Sequence, residues 1–495
     1  VIKKIIKNSK HIFSLQHNSI LSGAFVIGLS YLLSAILGLI RNRLLASHFF
    51  GGLESHLDVY FAAFVVPDSV FQLIVVGALS AAFIPVLSSY LKKGQKEAND
   101  FSNATLNSLL FTVTVLLIII FIFAVPVSRF IANFTPKQTL LMARLMRIML
   151  VSQIFFTISS FFTGIIQTHR RFLIPAIAPL FYNVGIIAGI LILAPKYGIY
   201  GPAIGVLAGS FMHMIIQFPL GFSLGYKYKP FLNFKHRGVK KIGRLMLPRS
   251  ASLAVTQLER WASVNIVSLL SAGSLAIFNF ARQLYTMPIT LFGVSLGQAS
   301  FPTLSDQSSK KDYKSFRSTL NQSLLQIFFF SLPASALLLT LRIPIVRLAF
   351  GAKAFPWQAT LTTGRALAFF ALSIAPQATT HILVRAFYAL QNTKTPLIIS
   401  TVTLIIASAL GYFLAIPLNI GVPGLALAIT VANLVSAFLL FHLLQKEIGS
   451  LHIYKPLGKM IIVSFATAVF LWAPMRLLDQ LVFDTTRTLP LLALT

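Results

Sequence analysis

The sequence predicts an all-α polytopic membrane protein made of two six-helix transmembrane lobes, related by a pseudo-twofold axis along the membrane normal, plus a C-terminal helix pair. Three observations predict this fold. The 495 residues are 56% hydrophobic and only 11% charged, too little charge for the surface of a soluble protein. Apolar runs of about 20 residues, which span roughly 30 Å of hydrocarbon, recur along the chain. Finally, segments of the first half recur in the second.

The apolar runs give thirteen candidate spans after a basic amphipathic segment at 1–18, which we expect at the membrane surface. No cleavable signal peptide is evident. A fourteenth span is predicted to begin at Leu489 and to be truncated at Thr495, where the chain ends. The thirteen spans are 19–40, 58–90, 104–127, 138–167, 172–194, 199–224, 250–271, 274–304, 318–341, 359–390, 396–416, 421–445 and 459–474.

Loop charges predict the orientation of these spans. Lys92, Lys93 and Lys96 follow span two, the loop 225–249 is rich in lysine and arginine, and the loops near 272 and 417–420 carry no basic residue. Because basic loops remain in the cytoplasm, the N-terminus is predicted inside, in the cytoplasmic (inner) membrane. The net charge of +30 is therefore read as topology and contact with anionic lipid, and not as nucleic-acid binding.

The internal repeat predicts the domain organisation. Residues 83–110 match 300–325 through Pro-x-Leu-Ser, a Lys-Lys loop and Thr-Leu-Asn, and Gly198-Ile-Tyr-Gly201 resembles Gly421-Val-Pro-Gly424. Span one then pairs with span seven, which gives both halves the same orientation and predicts a binding site between them. The predicted domains are 1–18, an N-lobe at 19–224, a basic cytoplasmic loop at 225–249, a C-lobe at 250–445, and a C-terminal part at 446–495.

Charged residues within the spans are candidates for a functional role. Placing an ionised group at mid-bilayer costs several kcal/mol unless it meets water or a partner. Arg282 lies mid-span. Arg41 and Asp58 bracket the first outward hairpin, where a salt bridge and ligand contact are equally good interpretations. Glu259 and Arg260 are adjacent and point about 100° apart. The remaining intramembrane charges are Asp68, Arg144, Arg147, Arg365 and Arg385, and the last four lie near enough to span ends to snorkel.

Other chemistry finds little support. His213 and His381 fall within spans, where a lone histidine is more often hydrogen-bonded structure than a proton carrier. Cysteine is absent, and no His/Asp/Glu spacing suggests a metal. No phosphate-binding loop or Ser/His/Asp set indicates an enzyme, and no cofactor is predicted. An arginine-lined cavity favours anionic cargo, because guanidinium binds phosphate through charged hydrogen bonds.

The sequence resembles the MurJ (MviN) lipid II flippases of the MOP transporter superfamily from about 20 to 475. The matching blocks are Ser34–Arg41, Phe49–Gly52, Leu57–Phe64, Pro67, Gly77–Pro85, Arg171–Pro179 with Asn183, Gln217–Pro219, Phe292–Gly297, Phe301–Ser305 and Arg385–Pro396. The resemblance implies fourteen helices and a C-terminal pair that offers a groove to the polyprenyl tail. It also implies that lipid II moves from the inner to the outer leaflet by alternating access.

The resemblance, together with the charges, selects the candidate substrate-binding residues. Arg41 and Arg282 are expected to contact the diphosphate, and Asp58 and Glu259 to orient or neutralise them, with Arg260 beside them. The implied partners are lipid II or a related undecaprenyl-diphosphate lipid, membrane lipids and cell-wall synthesis proteins. An ion gradient or the membrane potential remains open as the driving force.

The chain departs from the family pattern at several charged positions. It has Ser34-Ala35 where the family has Ser-Arg, Phe71-Gln72 in place of an arginine, and Val76-Gly77 in place of Glu-Gly. The arginine of span eight aligns with Gln283, one place after Arg282, and the acidic residue of sodium-binding relatives aligns with Ser263. Two alternatives therefore stay open: a same-fold exporter of other polyprenyl-diphosphate-linked glycans or small drugs, and a non-transporting membrane scaffold.

Overall fold

The computed structural model describes residues 20–351 and 354–481, and every regular element in this part of the chain is helical. The predicted amphipathic segment 1–18 and the fourteenth span predicted at Leu489 lie outside the described residues. The described chain forms two compact units. The first runs to Phe49 and resumes from Ser55 to Gln257, and the second consists of Phe50–Glu54 and the chain from Leu258 onward.

The first unit contains long helices interrupted by short π-helical segments. Its elements are α1 (Ile20–Phe49), α2 (Glu54–Ala63), α3 (Val65–Val70), π1 (Phe71–Val76), π2 (Leu79–Phe83), α4 (Ile84–Leu91), α5 (Gln95–Ile122), α6 (Ala124–Ile131), α7 (Pro136–Thr168), α8 (Leu173–Ala188), π3 (Gly189–Leu193), α9 (Ala194–Tyr197), α10 (Tyr200–Ile215) and α11 (Phe218–Ser223). Helix α10 packs against both α8 and α7, and α1 packs against α8.

The second unit also consists of long helices, and one of them is interrupted by a π-helical segment. After α12 (Arg237–Val267), in which the division between the units falls, its elements are α13 (Ser274–Pro288), π4 (Ile289–Val294), α14 (Ser295–Ser309), α15 (Tyr313–Thr340), α16 (Arg342–Phe350), α17 (Trp357–Ala389), α18 (Lys394–Ala415), α19 (Val422–Ile448) and α20 (Tyr454–Leu481). Helix α17 lies at the centre of this unit and packs against α13, α15 and α19.

Ten helices of the described chain are long and apolar enough to cross a membrane. They correspond to predicted spans two to six and nine to thirteen. The runs predicted as spans one, seven and eight are helical, but they are not among the ten. The helix that contains span seven, α12, begins at Arg237 and therefore includes basic residues that precede the span. The segment predicted as a loop up to residue 249 is therefore helical from Arg237 onward.

Local geometry recurs in both units at the places where the sequence repeats. Gly198 and Gly421 both have positive φ, of 55° and 69°, and the amides of Gly201 and Gly424 donate to their carbonyls at 3.0 Å in each case. The π1 and π4 segments interrupt the second and eighth predicted spans. These matching turns and interruptions support a repeat in the fold as well as in the sequence.

A non-helical segment of the basic loop, residues 225–231, is bound along α5 by side-chain amides, and we call it the strap. The Asn103 side chain donates to the Lys227 carbonyl at 2.8 Å, and it accepts from the Lys229 amide at 3.0 Å and the Tyr226 hydroxyl at 2.8 Å. Further amide side chains of α5 bind the strap carbonyls at i, i+4 spacing, namely those of Gln95, Asn99 and Asn107. The α5 side chains therefore hold the backbone of the strap against the helix, while the lysine side chains of the strap stay exposed.

Replacing Asn103 with alanine should detach the strap. Asn103 is fully buried and makes three of the strap's hydrogen bonds. Its replacement leaves the bonded groups of the strap without a partner, which should cost about 1–3 kcal/mol of local stability. We expect hydrogen–deuterium exchange across 225–231 to accelerate about tenfold or more, since 1.4 kcal/mol is a factor of ten. Lys227→Ala, which removes only an exposed side chain, is the control and should leave the exchange unchanged.

His236 lies just before α12 and packs against Phe101 of α5, and its titration makes this junction sensitive to pH. Its Nδ1 accepts from the Gly238 amide at 3.1 Å, and its ring lies 5.8 Å from the ring of Phe101. Burial lowers the pKa of His236, and nearby Glu97 and Asp100 oppose this shift. The folded state therefore favours the neutral ring, and its contribution to stability is lost as the pH falls below the ordinary histidine value of about 6.5.

We expect the amides around 236–240 to lose protection between pH 7.5 and 5.5, after correction for intrinsic exchange. A His236→Phe variant should exchange independently of pH over this range. Equal pH dependence in both proteins would assign the effect to the carboxylates instead.

Candidate functional site

Arg41 lies near the end of α1, half-buried, and is held by neutral amides. Its Nη1 donates to Asn183 Oδ1 and its Nε to Asn42 Oδ1, both at 3.2 Å. Asn183 is itself fixed, because its Nδ2 donates to the Pro179 carbonyl at 3.2 Å and to Ser34 Oγ at 3.3 Å. Since both recorded hydrogen bonds of Arg41 go to uncharged groups, they orient the guanidinium without cancelling its charge.

Two tyrosines complete the surroundings of Arg41 within the first unit. Tyr60 on α2 is buried, and Tyr182 precedes Asn183 on α8. Arg41 interacts electrostatically with both phenols, and Tyr182 also interacts with Asp68. Sequence reasoning did not select either tyrosine. The signal was present in the matching block that contains Tyr60, but the phenol carries no charge and was passed over.

Asp58 is buried on α2, with 5% of its surface exposed. The hairpin before it is held by another carboxylate. Glu54 accepts from the Gly51 amide at 2.7 Å and from the Gly52 amide at 3.0 Å, and both glycines have positive φ. The salt bridge between Arg41 and Asp58 remains a prediction, and the turn itself is fixed by Glu54.

The second unit groups Glu259 with Arg282. Both are half-buried, on α12 and α13, and both interact electrostatically with Tyr285. Tyr285 is buried and stacks on Phe370 with ring centroids 4.3 Å apart and planes 7° from parallel. Arg260 is also half-buried. The structure thus brings two of the predicted residues to one tyrosine, which the sequence did not single out.

Two arginines that the sequence allowed to snorkel bind backbone carbonyls instead. Arg385 Nη1 donates to the carbonyl of Val294, the last residue of π4, at 2.9 Å. A Cβ added to Gly297 would lie 2.2 Å from the same nitrogen, so the guanidinium occupies the space that this glycine leaves. Arg147 donates from Nε to the Phe121 carbonyl at 3.0 Å and lies over the Phe121 ring. Both arginines join neighbouring helices.

His213 belongs to a buried chain of hydrogen bonds in the first unit. Its Nδ1 lies 2.6 Å from Ser159 Oγ, Ser159 accepts from Gln217 at 2.5 Å, and Thr163 donates to Gln217 at 2.8 Å. This geometry agrees with the interpretation of His213 as hydrogen-bonded structure. Among residues 20–351 and 354–481, no group of three or more histidine or carboxylate side chains is placed to hold a metal ion.

Arg41 and Arg282, each taken within its own unit, are both suited to binding an anion. Arg41 in one unit and Arg282 in the other are half-buried, near phenols, on helices in which charge is scarce. A guanidinium in such surroundings interacts more strongly with a phosphate than it would in water. Two of the positions at which this chain departs from the family pattern, Phe71-Gln72 and Val76-Gly77, lie in π1 or directly after it.

Comparison with known proteins identifies the same family as the sequence blocks. The family model described as lipid II flippase MurJ matches residues 45–489. The lipid II flippase MurJ of Burkholderia cenocepacia is 29% identical over 440 residues, covering 86% of this chain and 83% of the relative. A probable lipid II flippase MurJ of Thermotoga maritima is 28% identical over 459 residues, covering 90% and 88%.

Solved structures agree with this assignment. A lipid II flippase MurJ in an inward closed conformation superposes with a TM-score of 0.78 at 27% identity, covering 95% of this chain and 96% of that one. An inward-facing multidrug resistance MATE transporter of the MOP superfamily superposes with a TM-score of 0.71 at 14% identity, covering 86% and 96%, which shows a shared fold alone. With the family model matching nearly the whole chain, this multi-pass membrane protein belongs to the MurJ family of lipid II flippases.

Proposed function

We propose that this protein moves lipid II from the inner to the outer leaflet of the cytoplasmic membrane by alternating access, without catalysing a covalent change. The observation that carries the proposal is Arg41, whose side chain is positioned by Asn183 and Asn42 while its charge stays available. Membership of the MurJ family supplies the substrate class. A diphosphate is the part of lipid II that such a guanidinium would bind.

The five predicted residues then divide into those that contact the cargo and those that balance charge around them. Arg41 and Arg282 each contact the diphosphate. Glu259 and Arg282 both interact electrostatically with Tyr285, and we assign to Glu259 the role of limiting the positive charge that Arg282 presents between cargoes. Asp58 orients or neutralises the arginines, and Arg260 lies beside Glu259 on α12. Lipid II then binds most tightly to the conformation that exposes these arginines. A ligand shifts a conformational equilibrium only if it binds one state more tightly than the other.

Complementation in cells depleted of their own lipid II flippase tests the proposal. Expression of this chain should restore growth and normal cell shape, because peptidoglycan synthesis stops when its precursor stays in the inner leaflet. Restored export of a different polyprenyl-linked glycan, with no rescue of growth, would favour the same-fold exporter. No export of either cargo by a well-expressed protein would favour the scaffold.

The proposal includes an orientation with the N-terminus in the cytoplasm. The chain has no cysteine, so single cysteines report their own accessibility without background. Lys92 and Lys196 are both exposed and precede α5 and α10, on opposite sides in the predicted topology. In intact cells, a membrane-impermeant maleimide should label Lys196→Cys and not Lys92→Cys. The reverse pattern would invert the assignment.

A further inference from the structure

The second unit contains an open pocket of about 430 Å³ at the end where α13 and α19 begin and where α12 and α18 end. Its polar lining comes from Ser271, Ser274, Thr362, Arg365 and Asn419. By the loop charges this end faces outward, since the loops near 272 and 417–420 carry no charge. We call it the Arg365 pocket.

Arg365 supplies the charge of this pocket. The residue is exposed on α17, and no lining residue is an aspartate or a glutamate. Within the described part of the chain, its guanidinium makes no hydrogen bond or ion pair. Glu54 approaches the neighbouring Gly273, but its carboxylate is already bound by the amides of Gly51 and Gly52. The arginine therefore presents an unmatched positive charge to the cavity.

The backbone around the pocket adds to this positive potential. Ser274 is the first residue of α13, and Gly421 precedes the first residue of α19, so the amino ends of two long helices reach the lining. The two carboxyl ends nearby are covered by their own turns. Leu270 donates to the Val267 carbonyl at 3.0 Å, and Gly421 donates to the Ala415 carbonyl at 3.2 Å. Capping of these carbonyls weakens the negative ends of α12 and α18.

Hydroxyl and amide groups offer hydrogen bonds beside the charge. Ser271 Oγ and Ser274 Oγ lie 3.3 Å apart, and Asn419 holds its side chain at the pocket from a backbone with φ of 54°. One guanidinium with several neutral donors matches a compact oxyanion. The volume exceeds that of a bare ion and falls in the range of small-ligand sites, about 300–1,000 Å³.

We propose that the Arg365 pocket binds a phosphate ester. Two membrane components carry this chemistry at the outward end: the headgroup of an anionic phospholipid, and the diphosphate of a polyprenyl-linked sugar. Arg365 provides the charged contact, and Asn419 and the serine hydroxyls provide neutral hydrogen bonds. The site lies within the second unit, and none of its lining residues is among those described around Arg41 and Tyr285, so it stands independently of the transport activity proposed above.

Native mass spectrometry of the purified full chain tests the pocket. The probes are short-chain phosphatidylglycerol, phosphatidylcholine of the same chain length, and lipid II. Wild type should bind phosphatidylglycerol, lipid II or both more tightly than phosphatidylcholine, and inorganic pyrophosphate should compete. Arg365→Gln should weaken this binding on the order of tenfold, the usual weight of one charge-assisted hydrogen bond. Lys394→Gln, which removes an exposed charge elsewhere in the unit, should not.

A second variant guards against an indirect effect of the first. Asn419→Gly keeps the positive φ without strain and removes one amide, so it should weaken the same probe by a smaller factor. Loss of phosphatidylglycerol alone identifies the phospholipid as the occupant, and loss of lipid II alone identifies the polyprenyl diphosphate. Unchanged binding of every probe to both folded variants, or equal binding of phosphatidylcholine, would overturn the proposal.

Discussion

Replacing Arg41 with alanine is expected to abolish rescue of a flippase-depleted strain while leaving the protein folded and in the membrane. The guanidinium is half-buried, and its recorded partners are Asn183 and Asn42. Its removal leaves the Oδ1 acceptors of two buried amides without this donor, so the expected cost to stability is about 1–3 kcal/mol, which a large helical protein can tolerate. The cost to cargo binding is larger, because a charged contact with a diphosphate in an apolar setting is lost.

Two further variants separate charge from structure. Arg41→Lys keeps the charge but loses the bidentate geometry, and should rescue growth partially. Asn183→Asp keeps the size and the acceptor oxygen but adds a carboxylate 3.2 Å from Arg41 Nη1. If Arg41 serves the cargo, neutralisation by this carboxylate should impair rescue. If it only joins α1 to α8, Asn183→Asp should be tolerated or stabilising. Full rescue by well-expressed Arg41→Ala would remove the residue from the mechanism.

Gly185→Leu is expected to prevent folding of the first unit. Gly185 faces Gly209 across the contact between α8 and α10, and a Cβ at Gly185 would lie 2.3 Å from the Gly209 Cα. The same contact continues at Gly189, where a Cβ would lie 2.5 Å from the Gly201 carbonyl oxygen. Because the obstacles are backbone atoms, the helices themselves must separate. Small residues that let helices approach closely are a main source of association in lipid.

A graded series measures this effect. Gly185→Ala should lower the thermal unfolding midpoint, at a cost of about 1–3 kcal/mol for one extra carbon in a filled contact. Gly185→Leu should give little monodisperse protein in fluorescence-detected size exclusion. Gly243 lies in α12 with no atom within 4 Å of its added Cβ, so Gly243→Ala is the matched control and should be neutral or slightly stabilising. A normal midpoint for Gly185→Leu would contradict the packing described.

Hydropathy and turn residues predicted most of the fold because they act locally. The spans from α5 to α10 and from α15 to α19 follow the apolar runs, and the paired turns at Gly198 and Gly421 follow from residues that tolerate positive φ. The prediction of a loop up to residue 249 was wrong, because α12 begins at Arg237. A basic composition marks the cytoplasmic side of a membrane without excluding a helix. The side-chain amides of α5 that bind the strap recur every four residues in the sequence. The sequence does not show, however, which segment they bind.

The site was less predictable, because a charge in a sequence does not reveal its partner. Arg41 and Arg385 are both intramembrane arginines, yet one is held by amide side chains and the other satisfies the Val294 carbonyl at the end of π4. The π-helical segment that exposes this carbonyl has no signature in hydropathy or charge. Tyr285, which interacts electrostatically with Glu259 and Arg282, was missed for the same reason as Tyr60: a neutral phenol becomes informative only when its neighbours are known.

Lipid II translocation by the purified protein tests the central claim most directly. Proteoliposomes would carry lipid II with a fluorescent headgroup label, and an impermeant quencher would report the fraction facing outward, with and without ion gradients. The account predicts that wild type brings the inner-leaflet label to the quencher, that Arg41→Ala does not, and that a phospholipid with the same label stays protected. Quenching at the same rate in protein-free liposomes, or equal transfer of the labelled phospholipid, would contradict it.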